Sequence, residues 1–211
     1  MVADTPHDAS STRRALRREE FLDAADQAIR RDGAGVTMAD VAAAAGVTKP
    51  VLYRYVADKD DLVGALAVRY AARIEALVEA GTAAAEDPRT MIERTIDAYL
   101  TFIESEPEIY AFLVHRAPVD APGMAEYLQR FTAQLAHRIS VIVADELARV
   151  GKDTAGAEAF AHGMVGMVQS TGEWWLSGRS DGAGMSREEL VGHLTRVLWT
   201  GLAGLPVHQP S

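Results

Sequence analysis

The sequence contains no cysteine, no long apolar run and no sustained strand pattern, and each absence excludes a class of structure. Without cysteine, the chain can form neither disulfide bonds nor thiolate metal sites. No apolar stretch approaches the ~20 residues that span a bilayer, so we expect no membrane association. The opening residues, MVADTPHDASST, lack the apolar core of a signal peptide, and we expect residues 1–12 to form a disordered tail. These features favour a cytoplasmic protein.

The sequence does contain enough apolar residues for an all-α protein. Hydrophobic residues make up 48% of 211, enough for one or two domains with a real core. Nearly every segment after residue 12 repeats apolar residues at helical spacing, which predicts an all-α fold of about nine helices. Local signals also predict helix boundaries. Helices are expected to end at Gly33, Gly46 and Gly151. The hydroxyl residues expected to cap helix N-termini are Thr37, Thr48 and Ser186.

Charge is distributed unevenly along the chain. The formal net charge is −9, yet residues 11–59 carry a net charge of +2 and the remaining residues carry −11. A slightly basic segment on an acidic body is typical of a small module that faces a polyanion, attached to a larger part with another task.

Residues 37–56 have the anatomy of a helix-turn-helix. Ala42 and Gly46 are small where two helices must cross closely. Leu52 and Val56 lie four positions apart and are expected to face a small core. The second helix of such a pair enters the major groove of DNA. Its outward face then carries Lys49, Pro50, Tyr53 and Arg54.

These residue types suit contact with duplex DNA. Lys49 and Arg54 can donate to guanine O6 and N7 or to phosphate, and Tyr53 offers an apolar ring and a hydroxyl. The alternative is that basic and aromatic residues lie by chance on an ordinary exposed helix. Four further residues are candidates for phosphate contact. Thr37 and Thr48 lie at helix N-termini. Tyr55 lies at the edge of the footprint, and Lys59 lies at the head of the fourth helix.

The stretch VTMADVAAAAGVTKPVLYRYVADKDDLVGALA resembles the DNA-binding domain of the TetR family of bacterial transcriptional repressors. The resemblance extends over about residues 13–65. It implies a homodimeric, all-helical repressor whose first three helices bind a double-stranded operator and whose variable C-terminal helices hold an effector pocket and the dimer interface. It also implies a division into a DNA-binding domain at 13–62 and an effector-binding and dimerisation domain at 63–205.

By position, the resemblance implies roles for individual residues. Thr37 and Lys59 resemble contacts to the DNA backbone, and Tyr55 resembles a phosphate contact. Two positions depart from the family pattern: Val56 stands where many members have phenylalanine, and Ala39 stands where some place a long base-reading side chain. Ala39 therefore removes one source of sequence readout. The groove-facing set is Thr48, Lys49, Pro50 and Tyr53.

The C-terminal helices show two further patterns. Small and apolar residues recur at helical spacing on the last two helices, which predicts a four-helix dimer interface that includes Gly163, Gly166, Trp175, Leu194, Val197 and Leu198. Each could instead pack only within one subunit. A mostly apolar set on the middle helices is expected to line a pocket for a small apolar effector, namely Tyr99, Phe102, Tyr110, His115, Met164, Met167, Gln169 and Trp174.

Enzymatic activity is not predicted. The sequence lacks an H-E-x-x-H metal motif, a nucleophile elbow and a phosphate-binding glycine loop, and no cofactor or metal site is expected. We therefore predict a repressor that binds a palindromic operator as a homodimer and is released by the effector. The alternatives are a helix-turn-helix regulator without a small-molecule effector and an enzyme built on this scaffold.

Overall fold

The structure of the protein is a computed structural model that describes residues 6–82, 85, 87–116, 122–178 and 184–204. Within these ranges the chain forms nine α-helices and no β-strand, which confirms the predicted all-α fold. The helices are α1 (Pro6–Asp32), α2 (Met38–Ala44), α3 (Lys49–Tyr53), α4 (Lys59–Thr82), α5 (Pro88–Ser105), α6 (Pro107–Ala111), α7 (Pro122–Arg149), α8 (Ala157–Gly178) and α9 (Arg187–Ala203); a 3₁₀ turn (Gly33–Gly35) follows α1, and a π-helix (Phe112–Arg116) continues α6.

Several helix ends lie where the sequence predicts them. Gly33, Gly46 and Gly151 have φ angles of 74°, 66° and 72°, the left-handed conformation that glycine adopts at little cost. At the head of α9, the Ser186 hydroxyl accepts a hydrogen bond from the Glu189 N–H at 3.2 Å. The Glu189 carboxylate accepts one from the Ser186 N–H at 2.9 Å. This pair confirms the predicted capping box.

The start of α1 differs from the prediction. The helix begins at Pro6, so the expected disordered tail at 1–12 is wrong from residue 6 onward, while residues 1–5 lie outside the described ranges. Proline suits the first helical position because its fixed φ angle matches a helix and its missing N–H is not needed there. Pro6 was therefore a visible signal for the start of α1.

The chain divides into two compact units, Met1–Ala71 with Glu106–Glu126, and Ala72–Ser105 with Tyr127–Ser211. This division differs from the predicted boundary at residue 62, because α6 and the π-helix pack with α1 and the 3₁₀ turn of the first unit.

The core of the first unit joins α1, α2, α3 and the first half of α4. Phe21 on α1, Val41 on α2, Leu52 on α3 and Leu66 on α4 are all buried. Burial of each such side chain contributes about 1.5–3 kcal/mol. Val56, just after α3, is also fully buried, as the sequence predicts.

A polar cluster lies at the edge of this core. Glu106, at the N-cap of α6, is 5% exposed and accepts a hydrogen bond from Arg30. The Tyr70 hydroxyl donates to Asp26, and Arg30 also pairs with Asp26. Burial raises the pKa of Tyr70, and the Asp26 carboxylate raises it further. The hydrogen bond to Glu106 likewise raises the pKa of Arg30, so Arg30 stays charged. The cluster fastens α6 to α1 and α4.

In the second unit, α5 packs against α8 and α9. Gly172 on α8 lies so close to α5 that a methyl group in place of its hydrogen would stand 3.0 Å from Ile103 and 3.1 Å from Tyr99. Arg187, the first residue of α9, forms ion pairs of 2.9 Å with Asp97 and with Glu104 on α5. Glycine at the contact and charge pairing at the helix head therefore fix α5 against its two neighbours.

Candidate DNA-binding surface

The turn between α2 and α3 sets the direction of α3. Gly46 donates its N–H to the Ala43 carbonyl at 3.0 Å, and Val47 donates to the Ala42 carbonyl at 2.9 Å. These are the two hydrogen bonds of a Schellman motif, which requires a residue with positive φ at the position that Gly46 occupies. The turn therefore stops α2 and redirects the chain within three residues.

The start of α2 is closed by a second local motif. The Asp40 carboxylate accepts hydrogen bonds from the Thr37 N–H at 2.8 Å and from the Thr37 hydroxyl at 2.6 Å. These bonds hold the pKa of Asp40 below its usual value. Thr37 is exposed and caps the helix as predicted, but its hydroxyl is occupied by Asp40.

Helix α3 exposes most of the residues predicted to face the groove. Thr48, Lys49 and Pro50 are exposed, and Tyr53 is 45% exposed, while Leu52 between them is buried. Thr48 stands at the N-cap, but its hydroxyl makes no capping hydrogen bond, unlike that of Thr37. The structure thus brings these four side chains together on one outward surface of the first unit.

The end of α3 rests on α1. The Tyr55 ring is half-buried, with its centroid 5.4 Å from that of Phe21. The Arg14 guanidinium lies 5.9 Å from the Tyr55 ring centroid, within range of a cation–π contact. Arg14 also donates to the main-chain carbonyl of Arg54 at 3.0 Å. The Arg54 side chain is exposed, whereas the Tyr55 ring is half-buried against α1. Tyr55 therefore contributes more to packing than Arg54 does.

Arg18 connects three helices at this point. Its guanidinium donates to the Tyr55 carbonyl at 2.8 Å and to both carboxylate oxygens of Asp61 at 2.9 and 2.6 Å. Asp61 in turn accepts from the Ala57 N–H at 2.8 Å. The hydrogen bond from Arg18 holds the pKa of Asp61 below its usual value. Two-point pairing of this kind fixes direction as well as distance. Lys59 is half-exposed and is the first residue of α4, two positions before Asp61.

The sequence alone predicts no role for Arg14, Arg18 or Asp61. The run RRALRR before Phe21 was a visible signal, because four arginines within six residues seldom serve a helix by themselves. Their partners lie about 40 residues further along the chain, where no local pattern indicates them.

The residues predicted for the effector pocket have mixed positions. In the second unit Phe102 and Met164 are buried, and Tyr99 and Gln169 are half-buried. Tyr110 is buried but belongs to the first unit, and the side chain of His115 lies outside the described residues. Two positions require correction: Met167 is 40% exposed and Trp174 is 63% exposed, so neither lines an enclosed space.

The residues predicted for the dimer interface also divide by exposure. Gly163 and Gly166 are exposed, and Val197 is 55% exposed. The other three are corrected by the structure, because their side chains face into the second unit and offer no free surface: Trp175, Leu194 and Leu198. Trp175 is 2% exposed and donates its indole N–H to the Met185 carbonyl at 2.6 Å.

No group of three or more histidine, aspartate or glutamate side chains in the described part of the chain is placed to hold a metal ion. Every helix in the described ranges is too short or too polar to cross a lipid bilayer.

Comparison with known proteins places this architecture in a family. The model of bacterial regulatory proteins of the tetR family matches residues 21–66, and that of the tetracyclin repressor-like C-terminal domain matches residues 76–209. An uncharacterized HTH-type transcriptional regulator of Mycobacterium tuberculosis is 31% identical over 190 residues, which are 90% of this chain and 78% of the relative. The chain belongs to the TetR family.

Two other similarities extend over most of the chain. The HTH-type transcriptional activator FasR of Mycolicibacterium smegmatis is 23% identical over 192 residues, 90% of this chain and 85% of FasR. A solved TetR-like transcriptional regulator from Rhodococcus sp. RHA1 has the same fold, with a TM-score of 0.68, 22% identity and coverage of 90% of this chain and 97% of its own. The predicted family is confirmed, and this TetR-family protein is a helix-turn-helix transcriptional regulator.

The pairing of Arg18 with Asp61 predicts a pH-dependent loss of stability in Asp61→Asn. At pH 7 the substitution should lower the free energy of unfolding by on the order of 1 kcal/mol, because Arg18 and the Ala57 N–H lose a charged acceptor. Since the folded-state pKa of Asp61 is depressed, its stabilisation is present above about pH 4 and is lost as the pH falls through that lower pKa. Urea denaturation at several pH values measures the difference, which should shrink in acid.

Asp60→Asn is the matched control, because Asp60 is an exposed neighbour on the same turn of α4. It should change the free energy of unfolding by no more than a few tenths of a kcal/mol. Equal effects of the two substitutions would contradict a specific role for Asp61.

Proposed function

We propose that this TetR-family regulator is a repressor that binds a near-palindromic operator as a homodimer, with α3 in the major groove. The observation that carries the proposal is the exposure of Lys49, Pro50 and Tyr53 on a helix whose two ends are both fixed. Such a protein would act in the cytoplasm, where its DNA is.

The chemistry of this surface supports reading of DNA rather than binding of a small anion. Lys49 can donate to guanine or phosphate, and the Tyr53 ring can pack on a thymine methyl or a sugar. The Thr48 hydroxyl, free of a capping role, can donate to a phosphate or a base. Arg54, Tyr55, Lys59 and Thr37 lie around this centre in sequence and are proposed to position it through phosphate contacts.

The direction of regulation is part of the proposal. A dimer bound at a promoter blocks polymerase, and the C-terminal match to the tetracyclin repressor-like domain favours repression. Activation is the second candidate, because FasR is described as a transcriptional activator. A promoter–reporter assay with and without the regulator separates the two.

A homodimer is supported by exposed apolar side chains on the last two helices. Met167 and Trp174 on α8 and Val197 on α9 are large hydrophobic residues that the single chain leaves in water. Gly163 and Gly166 are exposed on α8, where small residues allow close approach of a partner helix. Covering Trp174 and Val197 in a dimer would stabilise it by about 25 cal/mol for each Å² of apolar surface removed from water. Two copies would then present two α3 helices for half-sites about 34–36 Å apart.

Release by a small apolar effector completes the proposed mechanism. Residues 59–71 of α4 belong to the first unit and residues 72–82 to the second, so a single helix connects the two. An effector that binds the form of the second unit incompatible with DNA shifts the population away from the DNA-bound form. Tyr99 and Gln169 are proposed to contact it, since both are half-buried on the helices that meet at Gly172.

The competing functions differ in what they require. A regulator without an effector needs only the DNA-binding surface and the dimer. An enzyme on this scaffold would need catalytic side chains that no motif in the sequence supplies, and the relatives and the fold are those of transcriptional regulators.

Replacement of both Lys49 and Tyr53 by alanine tests the reading surface. We expect at least about 30-fold weaker binding to an operator obtained by selection from random DNA, because each base contact is worth about 1–3 kcal/mol. The circular dichroism spectrum and the melting temperature should not change, since both side chains are exposed. Arg149→Ala removes one positive charge from the second unit and should bind like the wild type. Unchanged affinity of the double variant would rule out this surface.

Charge introduced at Trp174 and Val197 tests the interface. Trp174→Glu with Val197→Glu should yield a folded monomer by sedimentation, because two carboxylates would become buried between copies. The matched control is Val141→Glu with Ile142→Glu, which alters two equally exposed apolar residues on α7 and should leave the dimer intact. A variant that stays dimeric would place the interface elsewhere.

Apolar compounds test the effector part of the proposal. A true effector should raise the melting temperature of the wild type and release it from the operator. Gln169→Leu should weaken the binding of such a compound by about 5-fold, since one lost hydrogen bond costs about 1 kcal/mol. Compounds that stabilise the protein while DNA stays bound would argue for a regulator without this form of induction.

A further inference from the structure

The first turns of α1 extend beyond the core of the first unit. From Thr12 to Arg17 every side chain is exposed, and Phe21 is the first buried residue of the described part of the helix. A helical segment with side chains in water on every face gains no stability from packing. Packing in the core therefore does not account for the sequence of this segment.

That sequence is strongly basic. Residues 9–18 contain Arg13, Arg14, Arg17 and Arg18 and no carboxylate. Like charges four residues apart on a helix repel, and this segment contains two such pairs, Arg13 with Arg17 and Arg14 with Arg18. Repulsion between these arginines weakens the free helix and is relieved when an anion binds beside them. We therefore expect such spacing where the helix contacts an anion.

The four arginines do different things in the structure. Arg14 and Arg18 reach toward the end of α3 and donate to the main-chain carbonyls of Arg54 and Tyr55 at 3.0 and 2.8 Å. This stretch of α1 therefore lies directly beside the end of α3, within the same unit.

Arg13 and Arg17 share a different flank of α1. On the side that faces α4, a shallow groove runs between Glu19 and Leu22 and the residues Ala65 and Val68. At 100° per residue, Arg13 and Arg17 lie about 120° and 160° around α1 from Glu19, away from this groove. Arg17 packs over the Phe21 ring at 5.2 Å and pairs with Glu20, but both partners of that ion pair are largely exposed. Such an exposed ion pair contributes little to stability, so Arg17 can leave Glu20 for an anion that binds it more strongly.

We propose that Arg13 and Arg17 form a second DNA-contact site, which binds the phosphate backbone beside the groove that α3 enters. The site takes duplex DNA as its ligand and adds affinity without reading bases. This inference rests on the proposed function, because it requires that α3 bind DNA.

The salt dependence of binding measures this site directly. Each phosphate contact adds about −0.9 to the slope of log affinity against log salt concentration on duplex DNA. Arg13→Ala with Arg17→Ala should therefore make the slope less steep by about 1.8. The affinity ratio of wild type to variant should then be about 10-fold larger at 50 mM salt than at 200 mM. Fluorescence anisotropy with the selected operator and a scrambled duplex gives both curves.

Three comparisons identify the cause of any change. Arg13→Lys with Arg17→Lys keeps the charges and should restore most of the slope. Arg138→Ala with Arg149→Ala removes the same charge from ion pairs of the second unit and should leave the slope unchanged. The ratio of operator to scrambled affinity should be the same for wild type and for the alanine variant, because phosphate contacts carry no sequence information.

The outcomes separate this site from the proposed function. If the wild type binds no duplex, the proposed function fails and the second site fails with it. If the wild type binds its operator and the Arg13 and Arg17 alanine variant shows the same slope, only the second site is overturned, and the arginines are a solvated face. A loss of operator preference in that variant would also overturn it, in favour of base reading. The melting temperature should match that of the wild type, which excludes unfolding as the cause.

Discussion

The candidate DNA-binding surface depends on the pairing of Arg18 with Asp61 and with the Tyr55 carbonyl. Helix α3 has only five residues, far fewer than a helix needs to be stable by itself. Its direction is therefore imposed from outside, by the Gly46 turn at its start and by Arg14 and Arg18 at its end. A rigid short helix keeps its outward side chains in a fixed arrangement, which a rigid groove requires.

The polar cluster around Arg30 plays a comparable part further from the surface. The Glu106 carboxylate is buried, and the hydrogen bond from Arg30, which also pairs with Asp26, offsets the cost of burying that charge. The cluster explains why residues 106–116 belong to the same compact unit as the helix-turn-helix, although more than 30 residues separate them in sequence from Ala71, where the first stretch of that unit ends. Motion of α6 would thus disturb α1 at the same time.

Sequence reasoning succeeded where a feature depends on neighbours in the chain. The Gly46 turn and the Ser186 capping box each involve residues within a few positions, so their chemistry is visible in the letters themselves. It failed where partners come from afar: Arg18 finds a carboxylate 43 positions away, which only the packed helices determine. It also failed at Trp174 and Trp175, because a phase error of one residue rotates a side chain by about 100° around a helix and exchanges inside for outside.

These adjacent tryptophans have a spectroscopic consequence. Trp175 is held in an apolar interior with its indole hydrogen-bonded to Met185, whereas Trp174 stands in solvent, and Trp199 is half-buried. Indole emission shifts to shorter wavelength when water is removed from the ring. Any event that covers α8 will therefore change the emission of Trp174 while that of Trp175 stays constant, so the chain contains both a natural fluorescent reporter of that surface and its internal reference.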